Sequence, residues 1–591
     1  MLSNKKEYIF DHEASIQKVF QATVDLYNSK TAITVDDNEY NFIMLNNYSN
    51  QLARLLMRET KPQEIIGIFM KESIEMIISI FAILKAGCTC LILDPNLPTK
   101  RFNEIIKDSK IELIICRDYC DVKNITPTNF LKCNLNSDFP YNESIENIVS
   151  NQKLTDISFL FYTSGSTGTP KGVRVSHGAI LNDTHPMIAQ PPLNDLDKFL
   201  FTSPLSSIRL IGELFYPLFF GVNVVILSSE FHNNVDIIIE TIIREQITVL
   251  FVVPTLLREM VSHSRFMECK SLRLVQSMGE KLSKSVRDSF YKAINDVILV
   301  NIYGQTETGM CTVHYCSSRT NEPYNISGLP VINRIIYILN DNLTETKMGD
   351  IGNIYIGGRY LADGYLNDSA LTHKVFLQSP FNSAEKIYKT GDVGRISGEG
   401  YLEFLGRSNE LVKIGGMRVS LLEVESKILS LENVSDCKVV TYINHRQDNR
   451  LMALIIQKNG NELSAFHFRK ALKHKLPLFM IPSRFIFVDK FPTNSHGKID
   501  IQKIQELSKG AYHQSDTKLP AKLLDIISSI LCISSNSIRN DDYFIELGGD
   551  SITAVTLGIE IEKQFDKQLP FEQLLYELNI QEISELLNFK E

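Results

Sequence analysis

Tyr162-Thr-Ser-Gly-Ser-Thr-Gly-Thr-Pro-Lys171-Gly172 follows directly on the apolar run Ile157-Ser-Phe-Leu-Phe161. A strand that feeds a loop of glycines and small hydroxyl residues offers many backbone N–H groups and hydroxyls with little steric bulk. Wrapping a triphosphate requires this, and Lys171 adds a point charge. Thr163, Ser164, Gly165, Ser166, Thr167, Gly168 and Lys171 are therefore the candidate phosphate cradle. The loop is not GxxxxGK[ST]: counting from Gly165, Pro170 stands where that pattern needs Gly, and Gly172 follows Lys171 in place of Ser or Thr. A P-loop kinase or NTPase is thereby disfavoured.

On both sides of this loop, from about Ile65 to Leu339, short β-branched runs alternate with longer helical patterns: 65–70, then 76–87, then 90–94, with further buried-strand candidates at 247–254 and 272–279. Such alternation predicts an α/β body of parallel sheets covered by helices. Between Asn353 and Phe404 the texture changes to short strands and Gly-rich turns, which predicts a small β-rich subdomain closing the body. A charged connection at 406–419 leads to a helix and two strands, read as a small α+β unit ending near Ile504. The polar stretch 506–520 reads as a linker. The expected domains are 1–406, 407–505, a linker at 506–517, and 518–591. The last of these carries −7 of the chain's net −8.

With 591 residues, 44% apolar and 22% charged, the chain has the composition of a multidomain globular protein. A net charge of −8 gives no electrostatic footprint for nucleic acid. Ten cysteines without paired ligand spacing suggest reduced thiols and no zinc site; Cys88 with Cys90 and Cys116 with Cys120 read as core filler. The charged start MLSNKKEYIFDHE lacks the apolar stretch of a signal peptide, and the greasiest region, Leu205 to Leu227, is broken by Arg209, Glu213 and Pro217. A cytoplasmic location without membrane contact is expected.

YTSGSTGTPKG is similar to the signature loop of the adenylate-forming superfamily, which includes acyl-CoA synthetases, luciferases and the adenylation domains of nonribosomal peptide synthetases. Further landmarks occur in order: LKAGCTCLILD at 84–94, NIYGQTETG at 301–309, GNIYIGGRYLADGYL at 352–366, YKTGDVGR at 388–395, GRSNELVKIGGMRV at 406–419, LPLFMIP at 476–482 and GKID at 497–500. DDYFIELGGDSI at 541–552 resembles the site of a peptidyl carrier domain. The resemblance implies a large N-terminal body, a mobile small subdomain and a separate all-α, four-helix carrier. It also implies ATP and Mg2+ as cofactors.

Residue roles follow from the resemblance. Asn301 is expected at the adenine amine and Tyr303 against the adenine face, a pairing that suits a purine. Gly279, Glu280 and Gly304 join the nucleotide contacts. Thr306 and Glu307 are expected to meet magnesium and phosphate, since a hard cation takes oxygen ligands. Asp392 is expected to accept both ribose hydroxyls, Lys413 to contact the ribose region, and Arg407 to lie at the domain joint. Lys498 resembles the lysine bridging substrate carboxylate and α-phosphate, where an ammonium meets developing charge. Asn409 stands where the family usually has a hinge Asp or Lys, and Asn tolerates turn conformations. Ser551, ahead of the helical pattern SITAVTLGIEIEKQF, is the expected 4′-phosphopantetheine attachment site. A phosphopantetheinyl transferase is then a required partner, and acyl-accepting enzymes are expected to act in trans.

The activated acid is addressed by a departure. Adenylation domains for α-amino acids normally carry an Asp, a few residues before a helix Glu, that pairs with the substrate amine. Aligned on Glu213, this chain has Ile208 at that position and Arg209 beside it. An ammonium facing Ile208 would be costly. The substrate is therefore expected to be a small carboxylic acid without an α-ammonium, such as a hydroxy, keto, aryl or dicarboxylic acid. Arg209 would meet its second oxygen or anionic group. The same alignment lines the pocket with Gly212, Phe251, Gln276, Met278, Ile302, Met310 and Cys311. The competing readings are an acyl-CoA ligase using free CoA and a non-catalytic scaffold with a decayed adenylation domain.

Overall fold

The computed structural model describes residues 1–3, 8–11, 14–118, 129–149, 151–163, 169–185, 192–232, 234–280, 282, 284–317, 326–407, 411–414, 416–444, 448–458, 464–489, 491, 519–535, 538–540, 542–571 and 573–587. The cradle residues Ser164, Gly165, Ser166, Thr167 and Gly168, the hinge residue Asn409 and Lys498 lie outside them.

The α/β body forms as the alternation predicts. Strands Ile65–Phe69, Thr89–Ile92 and Leu113–Cys116 run parallel in a seven-stranded sheet that continues through Ile157–Thr163 to Lys171–Ser176. The helix Ile74–Lys85 is buried along its whole length, as its near-continuous apolar sequence demands. Glu75 in its first turn has Arg117 as a partner, and its last residue carries a second charge that needs solvation. The Lys85 ammonium finds it in Asn46 Oδ1, Ser49 Oγ and Asn50 Oδ1, each 2.7 Å away, and burial still pushes its pKa well down.

A second parallel set, including Lys198–Phe201, Val249–Val252, Leu274–Met278 and Ile298–Gln305, lies in a 15-stranded sheet. The Gly-rich strands Gly352–Gly358, Lys386–Ile396 and Leu402–Arg407 belong to that same sheet, so the β-rich region is continuous with the body. Strand Ile326–Pro330 makes the join, pairing with Gly309–Tyr315 on one side and Leu402–Arg407 on the other. Gly328 at the crossing has φ +96°, and a Cβ there would lie 1.9 Å from the carbonyl oxygen of Val313. Only glycine permits that approach.

Beyond Arg407, the hairpin Leu411–Ile414/Met417–Ser420, the helix Leu421–Leu429 and a three-stranded sheet form the small α+β unit. The C-terminal unit packs helices Ala521–Leu531, Ser551–Phe565 and Ile580–Leu586 around its own core. Among its described residues there is also a π-type turn, Gln573–Glu577.

Candidate active site

Strands Ile157–Thr163 and Lys171–Ser176 pair in antiparallel register, Thr163 opposite Lys171, and so hold both ends of the candidate phosphate loop together. Opposite them, the segment after strand Ile298–Gln305 carries Thr306 and Glu307. Glu307 is almost fully buried and accepts a hydrogen bond from the Tyr365 hydroxyl at 2.7 Å. The Lys171 ammonium lies 5.9 Å from the centre of the same Tyr365 ring. Tyr365 thus ties the cation to the acid. The stretch ADGYL contains this residue, but nothing in the residues around it signals a contact with Glu307, 58 positions away.

Beneath this segment lies a buried pair that sequence reasoning missed. Arg334, fully buried, donates from Nε (3.0 Å) and Nη2 (2.6 Å) to the carbonyl of Thr308, and Nη2 stands 3.4 Å from Asp183 Oδ1. Asp183 Oδ2 accepts from the Met310 N–H at 3.3 Å. Burial pushes Asp183 up to about 7 even with Arg334 beside it.

At the other end, Asp392 Oδ2 accepts from the Tyr303 hydroxyl at 2.7 Å and from Gln305 Nε2 at 2.6 Å. Lys413 stands 6.0 Å from the Tyr303 ring centre. Asn301 donates from Nδ2 to the carbonyl of Ile326 at 3.0 Å, which anchors its amide to the joining strand. Glu280, expected at the nucleotide, accepts from the Gly416 N–H at 2.7 Å and the Thr255 N–H at 3.1 Å. It therefore clamps the tip of the small unit's hairpin against the body. Gly279 meets the same tip: a Cβ there would come within 3.3 Å of Gly416 Cα. The backbone of Arg407 closes strand Leu402–Arg407 opposite Asp392.

A cavity of about 120 Å³ opens between these elements, lined among others by Thr163, Arg209, Gly279, Gly304, Thr306 and Lys413. Of the expected acid pocket, Ile208, Arg209 and Met278 line it. Gly212, Phe251, Gln276, Ile302, Met310 and Cys311 are not among its lining residues. Phe251, Ile302 and Met310 are packed into one hydrophobic cluster behind the cavity, and the space over Gly212 is filled by Met310 and Phe251, 3.2 and 3.7 Å from where its Cβ would be. Gln276 and Cys311 are also buried. The chain winds as a π-helix over Ile211–Phe215, a form common at functional sites. The buried Glu213 carboxylate is pinned by the N–H groups of Thr202 (2.7 Å) and Ser203 (2.9 Å), and burial raises it to about 6. Burial lowers the Arg209 pKa, with Glu213 and Glu280 opposing that shift.

Arg209 also lines a second cavity, of about 340 Å³, whose walls include Thr202, His232, Arg450, Ser483 and Ser551. This space leads from the C-terminal unit toward Arg209. Ser551 is the first residue of its helix. Asp550 is the N-cap, accepting from the Thr553 N–H at 2.8 Å while its own N–H donates to Thr553 Oγ1 at 2.7 Å. The capping duty falls on Asp550, so the Ser551 hydroxyl is not consumed by it.

The AMP-binding enzyme profile matches residues 20–366, more than half of the chain. The chain belongs to the AMP-binding enzyme family. The AMP-binding enzyme C-terminal domain matches residues 423–498, and the phosphopantetheine attachment site matches residues 521–587. The chain is 29% identical to bacitracin synthase 3 of Bacillus licheniformis over 99% of its own length and 29% identical to gramicidin S synthase 2 of Brevibacillus brevis over 100%. It spans 9% and 13% of those proteins. Its fold is that of holo-PA1221, an NRPS protein containing adenylation and PCP domains, with TM-score 0.82, 21% identity and coverage of 97% and 96% of the two chains. The artificially fused adenylation–PCP di-domain NpsA-ThdA of Klebsiella oxytoca gives TM-score 0.72 at 19% identity, covering 98% and 99%.

An AMP-binding enzyme with a carrier domain uses ATP and Mg2+ and bears 4′-phosphopantetheine, and the residues present fit these groups. Gly304 has no room for a side chain, since a Cβ would lie 2.1 Å from the Gly309 carbonyl oxygen. Its missing Cβ points at that carbonyl, and Gly304 lines the cavity with backbone alone. Thr306 and Glu307 supply the oxygen donors magnesium prefers. No cluster of three His, Cys, Asp or Glu suited to a metal occurs among the described residues. No helix among them is long and apolar enough to cross a membrane.

Proposed function

We propose that this AMP-binding enzyme activates a carboxylic acid as its acyl adenylate, releasing pyrophosphate, and loads the acyl group onto the phosphopantetheine thiol at Ser551. The pathway would be nonribosomal peptide or related secondary-metabolite biosynthesis. The observation that carries the reading is the cavity shared by Ser551 and Arg209, because Arg209 also lines the nucleotide cavity. A carrier serine and an adenylation site thus open onto one path. In this reading the acid's carboxylate oxygen bonds to the α-phosphorus as the bond to pyrophosphate breaks. The acyl carbon then passes to sulfur as AMP leaves.

The roles of this chain's residues follow. Lys171 and Thr163, with the loop 164–168, would hold the phosphates; Thr306 and Glu307 would hold magnesium; Asp392 and Lys413 would hold the ribose end. Lys498 would neutralise charge at the reacting carboxylate, and the small subdomain would turn about the joint near Asn409 between the two half-reactions. Domain limits of 1–406, 407–505 and 518–591 are consistent with these movements. The substrate we infer is a compact acid without an α-ammonium. Ile208 and the half-buried Arg209 guanidinium line the cavity, and no carboxylate is among its lining residues to pair with an ammonium. A hydroxyl, keto or second carboxylate oxygen would satisfy Arg209. We further propose a cytoplasmic enzyme that hands its acyl group to partners in trans.

Intact mass after incubating the phosphopantetheinylated protein with ATP, magnesium and a panel of amino, hydroxy, keto, aryl and dicarboxylic acids tests this. A mass gain lost in Ser551→Ala gives the acid directly. Pyrophosphate release without any gain would refute self-loading, and efficient loading of an ordinary L-amino acid, undiminished in Arg209→Leu, would refute the substrate class.

A further inference from the structure

Four alternating charges run through the junction of the body, the small subdomain and the carrier. Arg258, on the body helix Pro254–Ser262, stands 2.6 Å from Asp448 of the small subdomain. Asp448 is 3.7 Å from Arg450, on strand Asn449–Gln457, and Arg450 is 2.6 Å from Asp550 of the carrier. Their side chains retain only 18, 6, 8 and 14% exposure in that order. Asp550 immediately precedes the serine that would bear the arm and also caps the carrier helix. Other contacts join the units in pairs: Arg469 with Glu546 and Asn444 with the Gly548 carbonyl tie carrier to small subdomain, while Lys427 with Glu104 ties small subdomain to body. The four-charge chain spans all three.

Buried charges are tolerated when each has an opposite neighbour, and a member stripped of its partner is costly. Asp448 lies between two arginines and Arg450 between two aspartates. With the carrier withdrawn, Arg450 loses Asp550, and the remaining triad carries an unmatched positive charge. We propose that this chain is a latch. Seating the carrier at the body completes it, and completion fastens the small subdomain in its present orientation, so that the subdomain turns only once the carrier has left. The carrier's position would thereby time the alternation between the two half-reactions. The timing role rests on the acid-loading reading above; the latch itself can be measured without substrate.

The test uses the full-length protein with spin labels at Cys532, which is exposed on the carrier, and at Met267→Cys on the body, in a background with Cys120→Ser and Cys316→Ser. Electron–electron double resonance then gives the ratio of docked to undocked carrier for the parent, Arg258→Gln, Asp550→Asn and the double variant. Asn at 550 still caps the helix, so only the charge is removed. We expect each single change to lower the ratio about tenfold and the double change to lower it scarcely further, because residues in one charge network are strongly non-additive. A multiplicative loss of about a hundredfold in the double variant would mean independent contacts and would overturn the latch. Single changes without effect, or a parent with no dominant docked distance, would overturn it equally. Should Arg258→Gln not fold, Asp448→Asn replaces it in the same cycle. No nucleotide or acid is present, so the outcome does not depend on whether self-loading occurs; failure of that reading shows separately as absent mass gain.

Discussion

Arg334→Met removes a fully buried guanidinium from beneath the Thr306–Glu307 segment. Two hydrogen bonds to the Thr308 carbonyl disappear, and Asp183, itself 8% exposed, is left in the core without its cation. Breaking a buried pair by deleting one partner costs about 3–5 kcal/mol, more than the packing of a methionine of similar length restores. The cost should depend on pH in a known direction. Asp183 is already raised to about 7 with Arg334 in place, and without Arg334 burial drives it higher still. The variant's native state then holds a proton that the parent's native state has released, so raising the pH penalises the variant. The difference in unfolding free energy should widen by up to about 1.4 kcal/mol per pH unit above pH 7 until the higher pKa is passed. Urea unfolding of parent and variant at pH 6 and pH 8.5 measures this, with ATP–pyrophosphate exchange reporting the effect on the segment above. Adding Asp183→Asn to the variant should abolish the widening. A loss below about 1 kcal/mol, or one equal at both pH values, would show that the pair does not carry the charge balance described here.

Other expectations are as concrete. Lys85→Met should cost about 2–4 kcal/mol in urea unfolding, because it strands the Asn46 and Asn50 oxygens that now solvate the ammonium; a neutral or stabilising result would mean these amides find other partners. Burial lowers His232 from 6.5 to about 4, so the unfolded chain takes up its proton first and stability is lost as pH falls from about 6.5 to 4. His232→Asn should flatten that part of the stability–pH curve, and an unchanged slope would contradict the assignment. Gly328→Ala should lower the yield of folded protein at 37 °C, since its Cβ would collide with the Val313 carbonyl oxygen; a thermal midpoint equal to the parent's would show that the strand can shift to accommodate it.

The landmarks legible in the sequence are those whose chemistry is local. The loop at 162–172 and the LGGDS turn announce themselves because backbone geometry, small residues and one functional side chain sit within a few positions of each other. The strands at 65–70, 247–254 and 272–279 were legible for the same reason, since a short buried run needs no distant partner to be recognised. What escaped depends on residues brought together from afar. Asp183 and Arg334 are 151 positions apart, Glu307 and Tyr365 are 58 apart, and neither pair has a local signature. The continuity of the β-rich region with the body was hidden because it hangs on one glycine, Gly328, in a strand that looks ordinary on its own.

That continuity governs how the chain can be divided. A fragment ending at Arg407 retains strand Leu402–Arg407 and its partner Ile326–Pro330, so every neighbour present in the intact sheet is kept. A fragment ending before Ile326 strips the outer partner from Gly309–Tyr315 and uncovers the backbone groups of that strand around Cys311, Thr312 and Val313. Bare edges of that kind recruit other chains. Truncations at these two points should therefore separate cleanly, the longer fragment staying monodisperse and the shorter one precipitating, although the shorter one still contains the entire phosphate loop.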